Sequence, residues 1–406
     1  MKTKIGVFFG GRTVEHEISI ITANQAMSSI NTEKYEIVPV YISKKGLMYT
    51  GEGLQDLQNY KDLDALVAKL TQVTLINDGD NTILLRYPSK KLSDNVVNTI
   101  DVAFPCMHGT NGEDGTAAGY FEMINVPYIG PDILASSVGM DKIMMRRAMK
   151  QAGIPSLDFV AFYFKDYIKN EDKYLKEIEE SLRYPVIVKA GNLGSSVGIK
   201  VAKNHEELID AIEYSMQYTD RVMVENAIEN LKEINCSVMG EPSDCRPSEV
   251  EEPLGAGEIL SYQDKYVSGG SKGGTKGDTS SNNDKGMASL KRRLPADIPA
   301  EMKEEIQKYA VETFKVLGCT GVARIDFIID KDNNDIYVNE INTIPGSLSF
   351  HLWKATNLSY PDLLDRLINL GIKRNREEQN RTFSFDSNIL SGYNLNGLKG
   401  SKGIKM

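Results

Sequence analysis

The chain has 406 residues, 41% hydrophobic and 25% charged, which is the make-up of a folded soluble protein and not of a disordered one. At about 100–200 residues per domain this length allows about two to four domains. Lys and Arg number 47 against 56 Asp and Glu, so the net charge of −9 lacks the basic footprint of a nucleic-acid binder. The four cysteines, Cys106, Cys236, Cys245 and Cys319, contain no C-x-x-C pair, which argues against a zinc ribbon and a disulfide framework.

Residues 4–9 (Lys-Ile-Gly-Val-Phe-Phe) read as a buried strand ending at Gly10-Gly11. Its apolar run is too short for a signal-peptide core or a membrane span, and no later run approaches ~18 apolar residues, so no membrane partner and a cytoplasmic location are expected. A helix is expected from about 14 to 29, a strand at 35–42, a helix at 55–70 and a strand at 82–86. Val102–Pro105 is a further strand, followed by the loop His108–Gly115 and a helix over 116–124. Strand, Gly-rich turn and helix in repetition predict an α/β domain with a parallel sheet over residues 1–125. Ligands of such sheets sit beyond the carboxyl ends of the strands, where both Gly-rich turns fall.

A helix over 136–151 closes at Gly153 and Pro155. Strands at 184–189 and 199–202 flank the loop Ala190–Gly198, and a helix at 206–217 precedes a strand at 221–225. Residues 126–215 therefore read as a small α+β unit with an antiparallel sheet, and 216–370 as a third unit. Residues 268–286 carry Gly, Ser, Lys, Asp and Asn with almost no hydrophobes, and the segment 267–290 around them reads as a mobile loop. Residues 371–406 read as a polar tail.

The strongest chemical signal is at 322–346. Val322–Ile329 and Ile336–Asn342 are strands around the turn Asp330–Asp335, and period two places Arg324 with Asp326 on one face and Glu340 with Asn342 on one face. Centring the hairpin on Asn333 sets Asp326 opposite Glu340 and Arg324 opposite Asn342. Facing carboxylates destabilise a sheet, so the pair points to a cation between them, and oxygen ligands suit Mg²⁺. A register slip of one residue, or a solvent-facing strand with scattered charges, is the alternative. A second signal is Lys189 followed by Gly191, Gly194-Ser195-Ser196 and Gly198, small residues that let backbone N–H groups approach a phosphate. Neither G-x-x-x-x-G-K-[ST] nor G-x-G-x-x-G occurs, so this composition alone is also compatible with a structural turn. The N-terminal loops carry Glu15, His16 and Glu17, then His108, Glu113 and Asp114, which helix capping and tethering explain equally well.

Together these segments resemble the D-alanine–D-alanine ligases of the ATP-grasp superfamily. The matching strings are Gly10-Gly-Arg-Thr-Val-Glu-His-Glu-Ile-Ser19, His108-Gly-Thr-Asn-Gly-Glu-Asp-Gly115, Met140-Asp-Lys142, Val188-Lys189 with Gly194-Ser-Ser-Val-Gly198, Arg324-Ile-Asp326 and Asn339-Glu-Ile-Asn-Thr-Ile-Pro-Gly346. They lie in the family's order over residues 4–370. The resemblance implies an ATP-grasp fold, with an N-terminal parallel-sheet domain, a small central ATP-binding domain and a C-terminal ATP-grasp domain. It also implies an ADP-forming ligase for peptidoglycan precursors, acting as a homodimer, that phosphorylates one D-amino acid and joins it to a second.

By the same resemblance Asp326, Glu340 and Asn342 would hold two Mg²⁺ (or Mn²⁺) and Arg324 would face the acyl phosphate. Lys142, Lys189 and Lys265 would reach the ATP phosphates beside Gly194 and Ser196, and Glu225 and Glu233 the adenine and ribose. Glu15 would hold the first substrate's ammonium with His108 nearby, Ser195 and Tyr266 would close a lid with Glu15, and Gly346 would offer its N–H to an intermediate. The chain departs from the family pattern at its lid, Ser261-Tyr-Gln-Asp-Lys-Tyr266, and in the long loop that follows. It departs again where the family places Ser-Leu against the second substrate: here stand His351 and Leu352. Another amino acid or dipeptide as substrate, or a nucleotide-binding homologue without catalysis, therefore remains an alternative to D-alanine with D-alanine or D-serine.

Overall fold

The computed structural model describes residues 2–194, 198–254 and 292–383, in which three sheets follow one another along the chain. The first holds β1 (Thr3–Gly10), β2 (Tyr35–Ile42), β3 (Met48–Thr50), β4 (Thr71–Asn77), β5 (Thr82–Arg86), β6 (Val96–Ile100) and β7 (Val102–Pro105), in the order β6-β5-β4-β3-β2-β1-β7. β1 is parallel to β2 and β7, with the helix His16–Ser29 as the β1–β2 crossover. From β2 to β6 the sheet is an antiparallel meander. The expected parallel sheet is thus its β2-β1-β7 core; a link such as Asp78–Asn81 between β4 and β5 is too short for a parallel crossover. The helix expected at 55–70 is a 3₁₀ turn, Leu57–Asp62, and a short helix, Leu63–Val67, because Asp56 and Asp62 each cap a new start with their side chains.

The second sheet is antiparallel: β8 (Phe159–Tyr163), β9 (Val186–Ala190), β10 (Lys200–Ala202) and β11 (Arg221–Asn226), ordered β10-β9-β11-β8. β11 lies past residue 215, yet it sits between β8 and β9, and Val222 and Val224 share a core with Val186 and Val188. Glu225 therefore belongs to this sheet. The helix read over 136–151 is two, Ile133–Met140 and Lys142–Gln151. Asp141 between them is extended, accepts the Met144 N–H at 2.9 Å and pairs with Arg221, so it ends one helix and caps the next.

The third sheet orders β14 (Arg292–Arg293), β13 (Asp244–Pro253), β12 (Leu231–Glu241), β15 (Gly321–Asp330) and β16 (Asp335–Asn342) as β14-β13-β12-β15-β16. Strand alternation divides it. Ile234, Cys236, Val238, Ala323, Ile325 and Phe327 pack against Ile306, Ala310 and Phe314 of the helix Ala300–Val316. The other face keeps Asn235, Ser237, Arg324 and Asp326.

The helix Tyr360–Gln379 continues nine residues past 370, so the region read as a tail begins as ordered helix. Its Leu363, Leu364, Leu367 and Ile368 share a core with Ile5, Val7 and Phe9 of β1. Arg374 fastens its end, donating to the carbonyls of Tyr128 and Gly130 at 2.7 Å each and lying 4.0 Å above the Tyr128 ring. Charge-assisted bonds of this kind contribute about 1.5–3 kcal/mol, so Arg374→Ala should lower stability by roughly that amount in denaturant titration. An unchanged midpoint would show that the helix end is not fastened there.

Candidate active site

On the third sheet's polar face, directly opposed residues form one row: Glu340 on β16 faces Asp326 on β15, Asp326 faces Asn235 on β12, and Asn235 faces Glu251 on β13. Arg324 faces Asn342, as the sequence register expects. The route to that register is indirect. Near the turn Asp330 pairs with Asp335 and Phe327 with Val338, a frame that would set Asp326 opposite Asn339. A β-bulge next to Asp326 takes up Asn339 as the extra residue and brings Glu340 into line.

Cations hold the facing carboxylates together. Arg324 clasps Asp326 with two parallel bonds, Nε to Oδ1 at 2.6 Å and Nη2 to Oδ2 at 2.7 Å, while Asn342 Nδ2 donates to Oδ2 at 3.0 Å. Lys142 Nζ lies 3.1 Å from Glu340 and donates to the Leu193 carbonyl at 3.0 Å. Burial alone would lower the Arg324 pKa, but Asp326, Glu251 and Glu340 hold the guanidinium firmly cationic.

The bulge gives Asn339 a task. Its Oδ1 accepts from Arg146 Nη2 at 3.2 Å and from Lys189 Nζ at 3.3 Å. Behind it Glu225, 1% exposed, pairs with Lys189 and lies 3.2 Å from Arg146, also 1% exposed. Burial would raise the Glu225 pKa, but Arg146 and Lys189 pull it down; burial lowers that of Lys189, against the opposing pull of Glu225. Arg146 Nε and Nη1 have no hydrogen-bond partner among the described residues. Buried guanidinium donors left unpaired are costly and suit an anionic ligand. No sequence motif marks Arg146; the one local signal is its place one helical turn after Lys142, on the same face.

The N-terminal domain meets the third sheet through a buried polar network. Ile344 O accepts from His108 Nδ1 at 2.7 Å, so Nε2 is the acceptor for Thr22 Oγ1 at 2.8 Å, and Thr22 Oγ1 in turn accepts the Ser347 N–H at 3.0 Å. This is the neutral imidazole, and burial keeps the His108 pKa low. Glu113 accepts the N–H groups of Gly109 at 2.8 Å and Ile344 at 3.0 Å. Glu15 is buried just before the helix His16–Ser29. A Cβ on Gly109 would stand 2.4 Å from Glu15 Oε2, and one on Gly194 would stand 3.9 Å from it. Only a residue without a side chain fits at Gly109, and Glu15 reaches the Gly-rich loop of the second sheet.

Gly346 opens a buried left-handed turn in which Ser347, Leu348 and Ser349 have φ of 52°, 52° and 51°. Such backbone costs about 1–2 kcal/mol per non-glycine residue and is held here by its surroundings. His351 follows on the helix Phe350–Lys354, and the Leu352 side chain is fully buried. Glu233 lies on β12, two residues from Asn235 and on the same face. The expectations for Ser195, Ser196, Lys265, Tyr266 and the loop 267–290 fall outside the described residues.

Among the described residues no group of three His, Cys, Asp or Glu side chains converges as a metal cage. Two opposed carboxylates beside an Asn amide are an oxygen-only set that fits Mg²⁺, which takes one or two carboxylates and completes its shell with waters and substrate phosphates. No described helix is long and apolar enough to cross a membrane.

Residues 4–131 match the family described as D-ala D-ala ligase N-terminus, and residues 148–369 that described as D-ala D-ala ligase C-terminus. The chain belongs to the D-alanine–D-alanine ligase family. The D-alanine–D-alanine ligase of Thermosipho melanesiensis is 39% identical over 95% of this chain and 98% of its own, and that of Caldicellulosiruptor bescii 37% identical over 94% and 99%. Among solved structures, the D-alanine–D-alanine ligase from Coxiella burnetii aligns with a TM-score of 0.75 at 29% identity, covering 93% of this chain and 96% of its own. The VanG D-Ala:D-Ser ligase from Enterococcus faecalis aligns with 0.74 at 30% identity, covering 91% and 100%.

In this family member Glu113 yields a pH signature. Burial and the nearby charge of Glu15 push its carboxyl up to about 8, against the lowering effect of its two backbone donors and Arg324. The folded chain then keeps a proton that the unfolded chain releases near its ordinary carboxyl pKa, so stability contributed by Glu113 is lost as pH rises from about 5 to about 8. Melting temperature should fall over that window, and Glu113→Gln should flatten the fall. An equally steep fall in the variant would place the titrating group elsewhere.

Proposed function

We propose that the chain is an ATP-dependent, ADP-forming ligase that joins D-alanine to D-alanine or D-serine through an acyl phosphate, for peptidoglycan precursors in the cytoplasm, as a homodimer. The observation that carries the reading is that Lys142 and Lys189, from the central elements, meet β16 at Glu340 and Asn339, beside the Asp326–Glu340 pair. Phosphates entering between the two sheets would meet cations on one side and the carboxylate row on the other.

Lys142, Lys189 and the unpaired donors of Arg146 would bind the ATP phosphates, with Gly194 and Ser196 supplying backbone close to them and Lys265 reaching in from the lid. Glu225 holds Lys189 and Arg146 in place, and with Glu233 would border the nucleoside. Asp326, Glu340 and Asn342 would hold two Mg²⁺, which supply charge neutralisation at the transferring phosphoryl group. Glu15 would fix the ammonium of the first D-alanine, with His108 locked beside it as a neutral ring. The carboxylate of that substrate attacks the γ-phosphorus and ADP departs. The amine of the second amino acid then attacks the acyl carbon, and phosphate leaves. Arg324 and the Gly346 N–H would offset charge on the tetrahedral intermediate, while Ser195 and Tyr266 would close over Glu15. His351 and Leu352 would border the second amino acid, Leu352 by its backbone because its side chain is in the core.

ATP, Mg²⁺ and D-alanine should yield ADP, phosphate and a dipeptide identifiable by mass spectrometry. No turnover with D-alanine alone or with D-serine added would sink the reading. Asp326→Asn keeps the volume and removes a charge, and should cut turnover by at least about 10²-fold with an unchanged fold. Near-native turnover would remove Asp326 from the metal set.

A further inference from the structure

Glu251, at the far end of the polar row, is tied to a side chain that the row itself does not include. Its Oε2 lies 2.8 Å from His351 Nε2 and 2.9 Å from Arg292 Nη1, and its Oε1 accepts from Asn235 Nδ2 at 3.1 Å. Burial would raise the pKa of this carboxyl, but the His351 bond and charge, with Arg292 and Asn235, bring it down to about 2. An ionised carboxylate only accepts hydrogen bonds, so His351 Nε2 is the donor. The ring's other nitrogen, Nδ1, is buried and has no partner among the described residues. Glu251 is close enough for its charge to act on Arg324, so its carboxylate links the His351 ring to the Arg324–Asp326 clasp. His351 also follows the left-handed turn that starts at Gly346, within one short helix.

A buried ring nitrogen without a partner is an energetic debit that a suitable ligand removes. With Nε2–H committed to Glu251, Nδ1 is an acceptor in the neutral ring and a donor in the imidazolium. A hydroxyl satisfies it in either state, because it both donates and accepts. A methyl group satisfies it in neither.

We propose that His351, held by Glu251, is a specificity-determining residue whose Nδ1 binds the side-chain hydroxyl of the second substrate. The second substrate is then a small hydroxyl-bearing D-amino acid, D-serine, in preference to D-alanine. This rests on the ligase reading above and adds the acceptor's identity to it. A site built to bond a hydroxyl rejects the analogue lacking it, because its own polar atom is then left unpaired.

The test uses the full chain with ATP, Mg²⁺ and D-alanine as first substrate, with D-serine and D-alanine competing as second substrate and the dipeptides quantified by mass spectrometry. Acyl phosphate formed from the first D-alanine is trapped separately as its hydroxamate. The expected wild-type kcat/KM favours D-serine by about tenfold or more. In His351→Gln the amide nitrogen can take the place of Nε2 at Glu251 while nothing takes the place of Nδ1, so the D-serine to D-alanine ratio should fall by about tenfold. In His351→Asn an amide atom takes the place of Nδ1, and the preference for D-serine should be retained. A wild type that prefers D-alanine overturns the inference, and that result needs no variant to fold. So does a His351→Gln enzyme in which both acceptors lose equally, since Nδ1 would then serve the carboxylate they share. Hydroxamate formed without a preference for D-serine leaves the ligase reading standing and sinks this inference alone; absence of hydroxamate and ADP sinks the ligase reading.

Discussion

Two carboxylates face each other across neighbouring strands at Asp326 and Glu340, and much of the molecule is arranged around that repulsion. Arg324 neutralises one from within its own strand, and Lys142 reaches the other from the start of the helix Lys142–Gln151. The bulge that aligns the pair also turns Asn339 toward Arg146 and Lys189, so one extra residue in β16 couples the sheet bearing the acids to the sheet bearing the cations. The row continues through Asn235 to Glu251, where His351 and Arg292 close it.

The buried ion triad Lys189–Glu225–Arg146 is poorly explained as a stability device. Well-packed apolar side chains of similar volume often do as well or better than such a group, while loss of a single member costs about 3–5 kcal/mol. The Arg146 donors that have no partner among the described residues suit an anionic ligand. The N-terminal side shows the complementary strategy. His108, Thr22, Glu113 and the 344–347 backbone form a satisfied network, and such networks fix geometry because every member has a partner to lose. Satisfied polar groups thus lie on the N-terminal side, and the guanidinium donors without a partner among the described residues lie beside Lys189 and Asn339.

Local patterns made part of this legible. Period-two alternation placed Arg324, Asp326, Glu340 and Asn342, because strand geometry repeats every two residues. Other features resisted reading. The single helix read over 136–151 is interrupted because Asp141 caps the second helix and meets Arg221, a partner 80 residues away. The unit boundary at 215 put Glu225 on the wrong side, since β11 is assigned by strand pairing and not by sequence order. Arg374 lies in a stretch that looks like a charged tail, and only its contacts with Tyr128 and Gly130 make it part of the fold.

The sequence by itself determined the chemical alphabet of the site and its family: the paired carboxylates, the lysines at a strand end and a helix start, and the glycines where backbone must come close. Those are short-range properties, set by residue type and spacing. Tertiary structure alone decided that Asn339 bulges, that Arg146 joins Lys189, and that His351 meets Glu251, because each depends on side chains from distant segments sharing one buried volume. It also decided that Arg146 Nε and Nη1 and His351 Nδ1 have no partner among the described residues, and the proposed ligands are placed at those atoms.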